Sequence, residues 1–201
     1  MIIENLQNHY KKLYEQFGDT PQAVQYSDEA SQNARFQALI EIADLEGKSI
    51  LDFGCGAGHL GKYIEQQGIN CSYHGVDILE EFIELCKNKF PNSKFGMIDS
   101  FDNEQFDYII ISGVFNNKIA DNQSFYQKTI KKLFKMCRHG IAFNLMSSYV
   151  DFFDENLFYE KPENVFSFMK TEVTQYVTIR NDYEVKKGVI PFDFTVYGYR
   201  R

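Results

Sequence analysis

The run Ser49-Ile50-Leu51-Asp52-Phe53-Gly54-Cys55-Gly56-Ala57-Gly58-His59-Leu60-Gly61 decides how the rest of the chain reads. Ile50, Leu51 and Phe53 supply the β-branched, aliphatic and aromatic bulk of a short buried strand over Ser49–Phe53. Gly54, Gly56 and Gly58 then fall at every second position, where a backbone free of Cβ atoms can turn sharply and lie close against a ligand. Beyond Gly58 the spacing of Leu60, Tyr63 and Ile64 marks one face of a helix. A strand, a glycine-rich turn and a helix N-terminus together form a nucleotide-binding corner of an open α/β sheet.

Two families share such a corner. Asp52-Phe53-Gly54-Cys55-Gly56-Ala57-Gly58 resembles the first motif of the class I S-adenosylmethionine (SAM)-dependent methyltransferases, a strand ending in Asp/Glu-x-Gly-x-Gly-x-Gly. Gly56-x-Gly58-x-x-Gly61 also satisfies the dinucleotide fingerprint, so an NAD-binding reading stands beside it. His74-Gly75-Val76-Asp77-Ile78 reads as a second strand ending in an acid, where both families place the carboxylate that meets the ribose hydroxyls. Asp77 with Glu80 also makes a capping-type pair ahead of an apolar helix. Phe95-Gly96-Met97-Ile98-Asp99-Ser100-Phe101 resembles the methyltransferase third motif, and Phe106-Asp107-Tyr108-Ile109-Ile110-Ile111-Ser112-Gly113 the fourth, a central strand opening onto the active-site loop. The ordered series covers about half the chain and favours the methyltransferase.

Length and composition bound the answer further. The 201 residues suit one structural unit with a substantial core. Phe (19) and Tyr (13) are abundant and Trp is absent, so aromatic mass fills the core and is left over to line a pocket. A formal net charge of −7 argues against broad nucleic-acid binding, which needs basic surface to offset phosphates. The local basic cluster Lys131, Lys132, Lys135 and Arg138 reads as a solvated helix face. Cys55, Cys71, Cys86 and Cys137 form no CxxC pair and no zinc spacing with the four histidines, which points to reduced thiols, a cytoplasmic compartment and no metal. No apolar run is long enough to span a bilayer, and Met1-Ile2-Ile3-Glu4-Asn5 lacks the basic region of a signal peptide.

Two helices are expected before the first strand. Ile3, Leu6, Tyr10, Leu13 and Phe17 recur at helical spacing over 2–17, and Gly18-Asp19-Thr20-Pro21 breaks that helix. Ser27 is the expected N-cap of a second helix carrying Phe36, Leu39, Ile40, Ile42 and Ala43 as far as Gly47. Residues 1–47 are thus expected to form an N-terminal helical cap on a SAM-binding domain over 48–201. From Ser49 onward helices near 58–67, 79–90 and 122–136 alternate with strands near 71–76, 94–98, 106–111 and 139–145, which implies right-handed crossovers and a sheet covered on both faces. A short helix over 162–170 precedes two strands, Val173–Ile179 and Pro191–Tyr199, whose short connection makes them antiparallel. A mostly parallel Rossmann-like sheet with one antiparallel C-terminal strand is the class I methyltransferase arrangement, whereas NAD-binding sheets are usually parallel throughout.

The resemblance implies a set of roles. SAM is the expected methyl donor and S-adenosylhomocysteine (SAH) the product. Gly54, Cys55, Gly56 and Gly58 would pass the amino-acid end of SAM, Asp52 would assist through water, Asp77 would take the ribose hydroxyls and Ile78 would pack on adenine. Asp99 would take the adenine amino group beside Ser100 and Phe101, and Ser112 and Gly113 would line the route to the methyl. Arg35, on the helix leading into the first strand, is expected to clamp the methionine carboxylate. Methyl transfer is an in-line displacement that proximity and orientation can drive, so no catalytic triad is required and none is visible. Phe115, Asn116 and Tyr149 are the acceptor-facing candidates, with His9, Tyr14, Tyr26 and Asn117 beside them. The segment after the fourth strand, Ser112-Gly113-Val114-Phe115-Asn116, lacks the Asn/Asp-Pro-Pro-Tyr/Phe found in methyltransferases of base amino groups and protein glutamine. With the acidic charge, this favours a small-molecule acceptor. The competing readings are an NAD-dependent oxidoreductase, a SAM-binding protein without catalysis and a nucleic-acid methyltransferase. Both monomer and homodimer are compatible with the sequence.

Overall fold

The computed structural model describes residues 2–201, with side chains from Glu4 onward, so the side chain of Ile3 lies outside the described residues. Helix α1 (Ile2–Phe17), a 3-10 turn (Pro21–Val24) and helix α2 (Glu29–Ile40) precede the first strand. There follow β1 (Ser49–Phe53), α3 (His59–Gln66), β2 (Ser72–Val76), α4 (Glu80–Lys89), β3 (Phe95–Gly96), β4 (Phe106–Ile111), α5 (Asn122–Met136) and β5 (Cys137–Ser147). The chain closes with β6 (Tyr159–Glu160), α6 (Pro162–Phe168), β7 (Tyr176–Arg180) and β8 (Asp193–Tyr199).

The strands form one sheet in the order β3-β2-β1-β4-β5-β8-β7, with β6 paired to the end of β5. Strands β1 to β6 pair in parallel, while β8 runs antiparallel to both β5 and β7. Side chains alternate across the pleat, so neighbours on one strand feed opposite layers. Leu51, Ile109 and Phe143 pack against Tyr126, Ile130 and Leu133 of α5 and Val165 and Phe168 of α6. Ile50, Ile110 and Ala142 face Phe36 and Leu39 of α2, Leu60 and Ile64 of α3 and Ile83 of α4. Burial on both faces explains why β4 reads as an unbroken apolar run rather than an alternating one. A smaller cluster of Ala57, Leu79 and Phe82 takes Tyr10, Tyr14 and Val24 from the N-terminal segment, seating that segment over the ends of β1 and β2.

Several boundaries differ from the sequence expectation for local reasons. Asp28, not Ser27, caps α2: its carboxylate accepts from Ser31 N at 2.7 Å, and Ser27 Oγ donates to it in turn. Helix α2 stops at Ile40, well short of Gly47, yet Ile42 and Leu45 in the following turns are buried. The third strand has only two residues, because Met97 O accepts from both Ser100 N and Ser100 Oγ and folds 98–101 into a 3-10 turn that buries Phe101. Strand β7 starts at Tyr176 because Met169–Val173 forms a π-helical turn closed by Thr174 N on Met169 O. No helix among the described residues is long and apolar enough to cross a membrane.

Candidate active site

Strands β1 and β2 end in register, Phe53 opposite Val76, so Gly54 and Asp77 leave the sheet side by side. Gly54 N and Cys55 N both donate to Val76 O, at 2.8 and 3.0 Å. Gly54 (φ 78°) and Gly56 (φ 51°) occupy the left-handed region, and a Cβ at either would collide, with Val114 Cγ2 and Val24 Cγ1 respectively. The sequence therefore needs glycine here twice over, for conformation and for space. Asp77 locks the turn: Oδ2 accepts from Gly56 N at 2.8 Å and Oδ1 from Leu79 N at 3.0 Å, just ahead of α4. This bracing replaces the expected Asp77–Glu80 capping pair, since α4 begins after Leu79 with no side-chain cap. Burial pushes the Asp77 carboxyl above its ordinary range, and the backbone donors partly counter it.

Beneath the turn, Asp52 is 2% exposed and its Oδ2 accepts from Tyr73 Oη at 2.6 Å. A phenol, rather than the backbone amides an acid at a strand end would find, satisfies it. Burial raises its pKa to about 7. Cys55 is buried and Cys86 Sγ donates to Gly56 O at 3.2 Å, so both thiols pack inside the turn.

The N-terminal segment closes over this corner. Gln7 Nε2 donates to Ile78 O at 2.8 Å, Tyr14 meets Phe82 edge-on, and Tyr26 Oη lies 2.9 Å from Ser112 Oγ beyond β4. Asn117 Nδ2 donates to Tyr10 Oη and Gln25 Oε1, at 2.8 and 2.9 Å. Asp19 fastens the end of α1 to the start of α3 through His59 Nε2 (3.0 Å) and to the end of α4 through Lys89 Nζ (2.5 Å), and Lys89 also donates to Ala57 O. Below this segment lies a half-open cavity of about 210 Å³, lined among others by Tyr10, Tyr26, Arg35, Gly113, Asn116 and Phe192. It lies at the carboxyl ends of the strands, where open α/β sheets bind ligands.

The profile of a methyltransferase-domain family matches residues 44–181. The chain belongs to that family: it is a class I SAM-dependent methyltransferase. A Mycobacterium tuberculosis protein named as a methyltransferase is 28% identical over 157 residues, 74% of this chain and 90% of its relative. Magnesium protoporphyrin IX methyltransferase from Synechocystis, solved with bound SAM, shares the fold at a TM-score of 0.60 and 14% identity, covering 85% of this chain and 79% of that one. A Pnkp1/Rnl/Hen1 RNA repair complex contains a chain matching at a TM-score of 0.65 and 16% identity, over 98% of this chain and 47% of that one. The strand order and the reversed β8 agree with this assignment. The turn fits the methyl donor in its glycine backbone, braced by a half-buried acid at the end of the second strand, with Val114 and Val24 packed on Gly54 and Gly56.

Within this methyltransferase the expected site residues divide. Gly54, Cys55, Gly56, Gly58, Asp52, Asp77 and Ile78 gather at the glycine turn. Ser112 and Gly113 join them across the crevice, and Gly113 (φ 74°) donates its N–H to Asn144 Oδ1 at 2.8 Å. Asn116 lines the cavity, with Oδ1 buried and without a hydrogen-bond partner among the described residues. Arg35 also lines it, but its Nε is bound to Asp193 Oδ2 at 2.5 Å and Nη1 to Ser31 O at 2.9 Å. The guanidinium is thus oriented by the protein, with Nε and one Nη1 proton already engaged. The third-motif residues are not brought to the turn. The Asp99 side chain is 84% exposed and 3.9 Å from Lys132 on α5, Ser100 is exposed, and Phe101 is core. Phe115 is also core, packed against Phe125, Tyr126 and Phe143, and Tyr149 is 59% exposed on the rim with its hydroxyl on Glu163. Tyr26 and Asn117 belong to the closure, while His9 stacks on Tyr10 and Tyr14 on Phe82. Tyr10, Asn144, Asp193 and Lys186 had no motif to announce them. Asn144 alone carries a sequence signal, as a polar residue inside the apolar run Ile141–Met146.

Proposed function

We propose that this enzyme transfers the methyl group of SAM to a small-molecule acceptor held in the cavity beneath residues 1–47, with 48–201 as the cofactor-binding domain. The observation that carries the reading is the cavity itself, which places Gly113 and Asn116 opposite the N-terminal segment at the carboxyl ends of the strands. In this reading the backbone of Gly54, Cys55, Gly56 and Gly58 holds the amino-acid end of the donor over Asp52, and Ile78 packs on its adenine. Asp77 takes the ribose hydroxyls. An ionised carboxylate has about four lone-pair sites, and the backbone N–H groups of Gly56, Leu79 and Ile78 engage three, so one remains for that work. Bound there, the sulfonium supplies an electrophilic methyl carbon and its own leaving group. The chain's task is orientation and exclusion of water, which Ser112, Gly113 and the Tyr26 hydroxyl serve at the crevice. Asn116 holds the acceptor without acting as a base.

A small acceptor is supported by the size of the cavity and by charge. Net charge is −7, and three of the four basic-cluster side chains lie beside acids, Lys131 with Glu172, Lys132 with Asp99 and Arg138 with Asp107. The structural neighbours include porphyrin and RNA methyltransferases, so the fold leaves this choice to the site. Free cysteines at positions 55, 71, 86 and 137 support a reducing, cytoplasmic location.

The test is calorimetric titration of wild type and Asp77→Ala with SAM, SAH and NAD. Binding of SAM and SAH that Asp77→Ala weakens is the expected result. Binding of NAD alone overturns the reading, and steeply salt-dependent RNA binding shifts the acceptor to nucleic acid.

A further inference from the structure

The cavity has an asymmetric supply of hydrogen-bonding groups. Arg35 is 6% exposed and fixed four ways: by Asp193, by Ser31 O, and by the rings of Tyr26 and Phe192, whose centroids lie 5.3 and 5.2 Å from its Cζ. Arginine carries five N–H groups in a rigid fork, and the two bonds to protein leave others on the cavity side. Asp193 offsets the charge, so Arg35 acts as an oriented donor rather than as a free cation. The Tyr10 hydroxyl accepts from Asn117 Nδ2, and its own proton is committed to no described residue. Lys186, exposed at the mouth and near enough to Asp28 to lower its pKa, adds positive charge. Two buried carboxylate or amide oxygens lack a donor among the described residues, Asp193 Oδ1 and Asn116 Oδ1, and of the two residues Asn116 lines the cavity. An unpaired buried carbonyl is unfavourable and is relieved by a ligand N–H or O–H.

We infer that the acceptor is a small carboxylate that also bears a hydroxyl or amino group. Its carboxylate lies among Arg35, Tyr10 and Lys186, and its O–H or N–H donates to Asn116 Oδ1. This rests on the reading of the cavity as the acceptor site. The oxygen or nitrogen held at Asn116 forms the new bond to the methyl carbon as the carbon–sulfur bond breaks. The sulfur departs with the electron pair as SAH, and the proton of the O–H or N–H goes to solvent. A cavity of about 210 Å³ equals the liquid volume of about seven waters, room for a monocyclic acid.

The probes are 4-hydroxybenzoate, benzoate and phenol, titrated calorimetrically into enzyme saturated with SAH. 4-Hydroxybenzoate is expected to bind about tenfold more tightly than either fragment. Lys186→Ala should weaken 4-hydroxybenzoate and benzoate several-fold and leave phenol unchanged. Asn116→Ala should weaken 4-hydroxybenzoate and phenol and leave benzoate unchanged. SAH affinity, measured on the same samples, should hold in both variants. If Lys186→Ala weakens SAH instead, the carboxylate in this corner is the methyl donor's own and the inference fails. Equal binding of the three probes, or none, to SAH-loaded enzyme also overturns it. Failure of the wild type to bind SAH at all refutes the cofactor reading on which it rests.

Discussion

Replacing Asp52 by Asn should stabilise the protein at pH 8 and leave it nearly unchanged at pH 4. The side chain is 2% exposed, its hydrogen bond comes from a phenol, and Asp77 adds a second negative charge nearby. Burial first, then that charge, raise the pKa from 3.8 to about 7, with the Tyr73 bond pulling the other way. Between these values the folded protein holds a proton that the unfolded chain has released, so stability falls as pH rises. The stabilisation is complete below pH 3.8 and gone above about pH 7. A displacement of this size corresponds to about 4 kcal/mol at full strength. Asn keeps an oxygen for Tyr73 Oη and never ionises, so the variant escapes the loss. Urea unfolding of both proteins from pH 4 to pH 8 measures it: the curves should diverge by about 2–4 kcal/mol as pH rises. Parallel pH profiles would show that Asp52 ionises in the folded state as readily as in water, and the argument from burial would be wrong.

Asp77→Ala removes the acceptor for Gly56 N and Leu79 N, and SAH affinity measured by calorimetry should fall about tenfold to a hundredfold. Asp99→Ala, at a side chain 84% exposed beside Lys132, should leave SAH affinity unchanged, and a loss would restore the third-motif role. Gly113→Ala puts a Cβ 2.8 Å from Tyr26 Oη at a φ of 74°, so it should lower stability by about 1–2 kcal/mol in urea unfolding and weaken acceptor binding. Asp19→Ala frees α1 from His59 and Lys89, and amide exchange over residues 2–27 should speed up while β1 and β4 stay protected.

What the sequence made legible was local. The glycine turn, the acid at the end of β2 and the apolar run of β4 depend on neighbours in the chain, and each lies where its residue pattern put it. What it concealed depends on distant partners. Nothing near Arg35 reveals that Asp193, 158 positions away, fills its Nε. Phe115 and Asn116 are adjacent, yet one is core and the other faces the cavity, because the turn after β4 sends successive side chains to opposite sides. The exposure of Asp99 has a different cause: two hydrogen bonds from Ser100 to Met97 O end β3 early and turn the acid out to solvent.

The strand that distinguishes the methyltransferase sheet from a parallel dinucleotide-binding sheet also helps to build the cavity beneath the N-terminal segment. In a parallel sheet only the carboxyl ends of strands reach the ligand rim. Because β8 is reversed, its first residue reaches that rim instead, with Asp193 opposite Met146 at the end of β5. Phe192, one residue earlier, stacks on Arg35 and lines the cavity, and Asp193 holds Arg35 in place. Asn144, in the neighbouring strand, donates to Asp193 Oδ2 at 3.5 Å and accepts from Gly113 N. Reversal of one strand thus links the N-terminal segment, through α2, to the turn after β4 by a buried polar chain. Such a chain is sensitive to any member left unpaired. Replacing Asp193 by Asn should therefore disturb Arg35 and the Gly113 turn together, raising the KM for acceptor while SAH affinity at the opposite end of the crevice holds. Equal losses of acceptor and SAH binding would mean that the chain braces the whole fold rather than this cavity.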